Sequence, residues 1–473
     1  MEIPAWTYRP AAVGTRAFAD RYLTFLGVVL LGYAMAGRGF AYVGAPPLFI
    51  GEVALALGLV ALVSVRRQAT LYPTGPMMLV AVLIAWAAVK VVLGVPQWGL
   101  DAVRDGMLVL YALFAFISFG LVTARPERLR TLVRRFSGVA WGLAFFAIPV
   151  MFINRMYPFV PAWPWAPVTI IQTKPGDLLV LLAAAVTYVA AGFVRPRPVL
   201  VAGLTVGALA LMVTSRGGML GFVLAMSLAA LWKPATARFG RFAYVGVLLV
   251  VLGLSVGSMG IEMNNGDRDF SVGQIWENIK SIAGKSDDHM LRGTAEWRLD
   301  WWGDIVGYTF AGEHFLDGKG FGINLATDDG FAVDDAGSLR SPHNSHLTVL
   351  ARGGVPMFLG WLALQGWWFL TVAGAARRAR RRKLDAWAAF YAVCGALWLG
   401  AHINASFDVY LEGPMGAVWF WTVFGLALAG VRLQEAHPHL LDDVRALGPA
   451  APRDAAAAAP ADATRPWSWA APA

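Results

Sequence analysis

The chain has 473 residues, of which 58% are hydrophobic and 15% charged, and a formal net charge of +9. That balance excludes a soluble protein of this length. Apolar runs of roughly 17–20 residues recur, the length that crosses a hydrocarbon core of roughly 30 Å. The expected class is an all-α polytopic membrane protein, because a helix satisfies its own backbone hydrogen bonds in lipid. The 20 tryptophans suit a chain with membrane interfaces to populate. One cysteine, Cys394, rules out an intramolecular disulfide and a cysteine-based metal site.

In chain order, the first 21 residues carry Arg9, Arg16 and Arg21 without an apolar core or a small-residue cleavage site. Tyr22 onward is therefore expected to be a retained first span, not a signal peptide. About twelve spans are expected by length and hydropathy. They cover 22–37, 46–64, 76–94, 105–123, 136–153, 176–194, 198–214, 216–232, 241–259, 344–374, 386–405 and 413–431. If these alternate, the N-terminus, VRRQ (65–68), ARPERLRTLVRR (124–135), RPR (195–197), KPATARFGR (233–241) and RRARRRK (377–383) share one side. The positive-inside rule makes that side, and both termini, cytoplasmic. The basic excess is then a topology signal beside lipid headgroups, not a nucleic-acid footprint.

Residues 260–342 depart from this pattern. They hold 15 of the 30 acidic residues and only 7 Lys/Arg, and read as a small domain on the outer face. VGQIWENIKSIAG (272–284) and TAEWRLDWWGDIVGYTF (294–310) have the spacing of amphipathic helices, with Trp297, Trp301, Trp302 and Ile305 in register, and suit the membrane surface. DGKGFGINLATDDG (317–330) reads as turns. The expected organisation is nine spans over 1–259, the loop domain 260–342, three spans over 343–432, and a cytoplasmic tail 433–473, Ala/Pro-rich at its end and expected to be disordered.

The residues that could carry chemistry gather around the outer-face ends of these spans. In SPHNSHLTVLARGGVP (341–356), Ser341 suits an N-cap and Pro342 a first helical position. His343 and Asn344 would then occupy the first turn, with His346, Leu347 and Leu350 continuing one face. The helix N-terminus favours an anion and disfavours imidazolium, leaving His343 able to accept a proton. Alternatively, His343 and Asn344 merely cap the helix. Gly353 and Gly354 allow a close approach or a kink. Arg216, in TSRGGMLG, lies at membrane depth, where an arginine is costly unless paired, so it is either a ligand group or snorkels to the interface. Gly217 and Gly218 let backbones approach. Arg298 sits among tryptophans, with Glu296 and Asp300 as ordinary partners. Lys174 opens a span beside Asp177 and could bind phosphate, the plainer reading being an ordinary interface lysine. Arg104 and Asp105 read as a structural pair. His289, His314 and His402 are scattered, and no His/Asp/Glu set has ligand spacing. The acidic run 328–335 does not fit a calcium loop. No nucleophile elbow or phosphate-binding loop is present.

SRGG (215–218) between two close spans, RLDWW (298–302) in one large outer loop, and HN (343–344) with Gly354 at its end resemble the O-antigen ligase and O-antigen polymerase superfamily of bacterial envelope enzymes. NASFDVYLEGPMGAVWFW (404–421) is similar to that family's penultimate loop and last span. The resemblance implies the GT-C-like helical architecture of lipid-linked sugar transferases. It implies an inverting, metal-independent glycosyltransferase without cofactor in the bacterial inner membrane, its active site periplasmic. The donor would be a glycan on undecaprenyl pyrophosphate. The acceptor would be lipid A–core for a ligase, or a growing glycan for a polymerase of O-antigen or exopolysaccharide. Membrane lipids are the surrounding partner and nucleic acid is not one. By resemblance His343 deprotonates the acceptor hydroxyl and Arg216 and Arg298 hold the pyrophosphate. On the residues themselves Lys174 is a further phosphate ligand, with Asn344, His346, Gly217 and Gly354 in support. A lipid-linked glycan transporter or flippase would also use such arginines, but its matching broken halves are not seen in the sequence.

Overall fold

The protein is described here by a computed structural model covering residues 13–66, 75–156, 159–234, 236–237, 240, 289–334 and 337–445. It is mostly helical. The helices are α1 Val13–Ala36, α2 Arg38–Ala41, α3 Ile50–Ser64, α4 Gly75–Trp98, α5 Leu100–Leu110, α6 Leu113–Ala124, α7 Glu127–Arg155, α8 Pro175–Ala190, α9 Pro198–Thr214, α10 Arg216–Trp232, α11 His289–Phe310, α12 Leu325–Asp328, α13 Ser345–Arg381, α14 Asp385–Ala405 and α15 Pro414–Ala436. The β content among the described residues is a hairpin pairing Gly44–Ala45 with Leu48–Phe49, and two isolated bridges.

Among the described residues, six helices are long and apolar enough to cross a membrane: α1, α4, α7, α13, α14 and α15. The pair α5–α6, bent by 43°, makes a seventh if taken as one span. α3, α8, α9 and α10 are apolar but shorter. The expected segment 241–259 and the amphipathic stretch 272–284 lie outside the described residues, as does the tail beyond 445. The fold is thus an all-α membrane protein. The expectation of about twelve crossings goes beyond the six or seven that helix length supports among the described residues.

α8 is the centre of the bundle. Every residue from Leu178 to Ala190 is buried, and its sequence is apolar on all faces, as a helix surrounded by other helices must be. It packs against α7, α9, α10 and α14. Close crossing of α8 and α10 depends on glycine: a Cβ on Gly218 would stand 2.8 Å from Gly176 Cα. Around the outside, Val28, Val60, Val92, Leu93, Leu231 and Leu370 are exposed, as suits faces turned to lipid.

The bundle has two distinct ends. At one, the paired groups are Asp20 with Arg125 and Arg128, Arg134 with Asp443, and Arg445 with Asp385 and the Ala191 carbonyl. α1, α7 and α14 leave this end and α8 and α10 arrive there. At the other end Gly37 bridges Gln172, Asn154 bonds Thr173, and the loop 406–413 meets the start of α8. The chain after α11 folds over this second end. Its small core of Trp301, Ile305, Leu325, Ala326, Leu350, Ala351 and Val355 packs α11 onto the first turns of α13. Charge ties the same segment down: Asp105 on α5 meets buried Arg352 at 3.0 Å and Arg340 at 3.2 Å, and accepts from Gly322 N.

Candidate active site

The site is built where four chain segments end. α8 begins after Lys174, whose extended backbone leads into Pro175, a residue suited to a first helical position. α10 begins after Ser215, whose hydroxyl accepts from Gly218 N and leaves Arg216 in the first turn. Gly217 turns to the loop after α14, where an added Cβ would meet Phe407 at 2.9 Å. That loop, residues 406–413, is the meeting point.

Asp408 organises it. Its Oδ1 accepts from Lys174 Nζ at 2.5 Å and from Val409 N at 2.7 Å, and His343 Nδ1 stands 3.6 Å away. Burial raises the Asp408 pKa, but His343, Lys174 and the Val409 amide outweigh it and hold the carboxyl well below the usual range. Arg298 on α11 donates from Nη1 to the Phe407 carbonyl at 3.3 Å, while its Nε is buried without a hydrogen-bond partner. Burial lowers the Arg298 pKa and the Asp408 charge opposes that effect. The guanidinium thus keeps donor capacity for an anion beside Lys174 and His343. Ser345 Oγ donates to the Asp408 carbonyl and accepts from Leu411 N, which fastens the loop to the start of α13. Thr348 Oγ1 donates to Glu412, which Ser341 also contacts. Burial raises the Glu412 pKa against Ser341, Arg352, Thr348 and His343. Asp177, in the first turn of α8, accepts from Asn404 at 2.9 Å.

His343 is not placed as the sequence suggested. Ser341 is not the cap and Pro342 is not the first helical residue. Asn344 caps α13, its side-chain oxygen accepting from His346 N and Leu347 N, and the helix starts at Ser345. His343 lies just before the cap with φ 52°, a left-handed conformation that turns it out of the helical face shared by His346, Leu347 and Leu350. The field at the helix start therefore does not bear on His343 in the way expected. Its charged neighbour is Asp408. Trp302 Nε1 donates to the Pro342 carbonyl and holds the segment beneath α11.

His346 belongs to a different layer. Its Nδ1 accepts from Trp361 Nε1 and its Nε2 lies 3.0 Å from the His402 carbonyl, so both ring nitrogens are engaged away from Asp408. Arg298 is not spent on Glu296 or Asp300, and Lys174 is not a plain interface lysine. Gly354 sits at a break in α13 with φ 74°, where a Cβ would stand 2.7 Å from the Phe315 carbonyl oxygen. It lets the outer segment lie directly on the helix. Arg104 pairs with Asp105, as the sequence suggested, and also with Asp101. Asp408, Glu412 and the Arg340–Asp105–Arg352 cluster were not anticipated, although two carboxylates between the last apolar segments were a visible signal.

The fold and the site together define a membrane protein with several apolar helices and a cation-rich, histidine-bearing centre at one end of its bundle. Residues 201–362 match the family model described as O-antigen ligase, and the match supports placing the chain in the O-antigen ligase and polymerase superfamily. The matched segment contains Arg216, Arg298, His343 and Gly354, but neither Lys174 nor Asp408. No curated protein matches the chain significantly.

Proposed function

We propose that the protein is an inverting glycosyltransferase that needs no metal. It moves a glycan from undecaprenyl pyrophosphate to an acceptor hydroxyl, acting as an O-antigen ligase on lipid A–core at the periplasmic face of the inner membrane. The observation that carries this reading is the convergence of Lys174, Arg298 and His343 on residues 407–408, with Arg216 in the first turn of the adjoining helix.

In this mechanism Arg298, Arg216 and Lys174 bind the pyrophosphate and offset the charge that grows as its bond to the sugar breaks. Lys174 is shared between Asp408 and the donor, so donor binding draws it partly off the carboxylate. His343 accepts the acceptor hydroxyl proton, and the carboxylate of Asp408 favours the imidazolium that results. The acceptor oxygen forms its bond to the anomeric carbon from the face opposite the departing pyrophosphate, which inverts the configuration. Undecaprenyl pyrophosphate leaves with the electron pair, and the proton passes from His343 to water.

The test is purified protein in detergent with lipid-linked glycan and lipid A–core. Glycosylated lipid A–core should form without nucleotide and in the presence of EDTA. Loss of turnover with EDTA would overturn the metal-free step. Extension of the glycan without transfer to lipid A–core would assign a polymerase, and lipid movement without bond formation a transporter.

A further inference from the structure

A cavity of about 400 Å³ lies in the arginine-paired half of the bundle, remote from the site, walled by α1, α6, α7, α8, α14 and α15. Its lining is mostly aliphatic and aromatic, including Leu26, Val139, Leu397 and Leu426, with Thr24, Ser118 and Thr422 among it. Protein interiors pack densely and carry few voids larger than a water molecule, so an apolar space of this size calls for hydrocarbon. The wall between α1 and α7 is thin: Gly27 and Gly138 both line the cavity, and a Cβ on either would meet nothing within 4 Å. Val28, next to Gly27, is 59% exposed, so this side faces lipid.

The cavity ends at charge. Arg135 lines both the cavity and an adjoining polar cleft of about 350 Å³, which also holds Arg21, Arg125 and Arg128. The carboxylates in that cleft are Asp20 and Glu127, which pair with Arg125 and Arg128. Arg135 bonds the Thr24 hydroxyl at 2.8 Å, and among the described residues no carboxylate pairs with it. Four arginines against two acids leave the mouth cationic. A hydrocarbon slot beneath a cationic rim is complementary to an anionic head on a hydrocarbon tail.

We propose that this is a binding site for an anionic phospholipid of the surrounding leaflet, with one acyl chain between α1 and α7 and its phosphate against Arg135. The site is independent of the glycosyl-transfer reading, since it shares no residue with the Asp408 centre.

The experiment is native mass spectrometry of the full chain released from mixed micelles holding equal phosphatidylglycerol and phosphatidylcholine. The parent should retain phosphatidylglycerol about fivefold over phosphatidylcholine, whose phosphate is offset by choline, the preference worth the attraction of one net negative charge to one arginine near a surface. Arg135→Gln should clearly reduce that preference, with Arg21, Arg125 and Arg128 still on the rim, and an unchanged preference overturns the proposal. Gly138→Leu, which adds bulk to the slot without backbone contact, should lower retention of both, with thermal melting confirming that the variant is folded. Equal retention of both lipids by the parent overturns the proposal, as does undiminished retention by folded Gly138→Leu. Displacement of phosphatidylglycerol by inorganic phosphate alone would assign the rim to a free anion and likewise overturn it.

Discussion

Asp408→Asn is the sharpest perturbation of the proposed site. It keeps the shape and the oxygen that accepts from Val409 but removes the charge shared by Lys174 and His343. At 3.6 Å, an effective dielectric of about 20 gives an attraction of about 4–5 kcal/mol between an imidazolium and this carboxylate. His343 and Asp408 are 30% and 23% exposed, so solvent screening reduces that figure. A charge-assisted contact worth about 1.5–3 kcal/mol is the better measure, and it corresponds to about 10- to 150-fold in rate. The loss should fall on kcat, because the imidazolium develops only as the acceptor proton moves. Donor affinity should hold or improve, because Lys174 no longer divides itself between the carboxylate and pyrophosphate. Steady-state turnover with purified protein, alongside donor binding measured by titration, separates the two. A kcat within threefold of the parent, or a loss of donor affinity matching the loss of turnover, would refute the assigned role.

His343→Ala should lower turnover by about 10²–10⁴ while leaving donor binding nearly intact, and Arg298→Ala should weaken donor binding itself, both read in the same assays. Asp105→Asn takes from Arg352, only 2% exposed, its direct ion-pair partner, with only Glu412 acting on it from farther off, and should cost about 3–5 kcal/mol, seen as a lower melting temperature in detergent. Gly354→Ala puts a Cβ at φ 74° against the Phe315 carbonyl and should cost about 1–3 kcal/mol in the same measurement. The depressed Asp408 pKa also sets a pH dependence. The carboxylate stabilises the fold above the usual carboxylate pKa of about 4, and that contribution is lost as pH falls towards its lower folded value. The melting-temperature gap between parent and Asp408→Asn should therefore be full at pH 6 and narrow below about pH 4; a constant gap would count against the charge cluster.

Hydropathy made the helices legible because lipid imposes one simple rule on backbone polarity. Pro198–Thr214 and Arg216–Trp232 fall where the pattern put them, since Pro198 and Ser215 punctuate the apolar runs. The broken pair α5–α6 was read as one span, because nothing in LYALFAF marks the bend. At the site, Arg216 stood out as an expensive residue at membrane depth, while Lys174 and Arg298 each bond the loop after α14, at Asp408 and Phe407. The cap was misplaced by three residues because Ser341 and Asn344 are both good caps, and local preference does not choose between them. Contacts at Trp302 and Ser345 do. Asp408 was missed for a related reason: a carboxylate in a short loop looks ordinary until folding places Lys174, 234 positions earlier in the chain, against it.

The seven-residue turn from Phe407 to Gly413 hangs between the last two long helices, and the segment matched by the O-antigen ligase family model, 201–362, stops well before it. A hybrid that grafts only 201–362 into another bundle would import guanidinium groups and an imidazole with no anchor to gather them. Activity in such a chimera should return only when the donor's C-terminal helix pair travels with the graft.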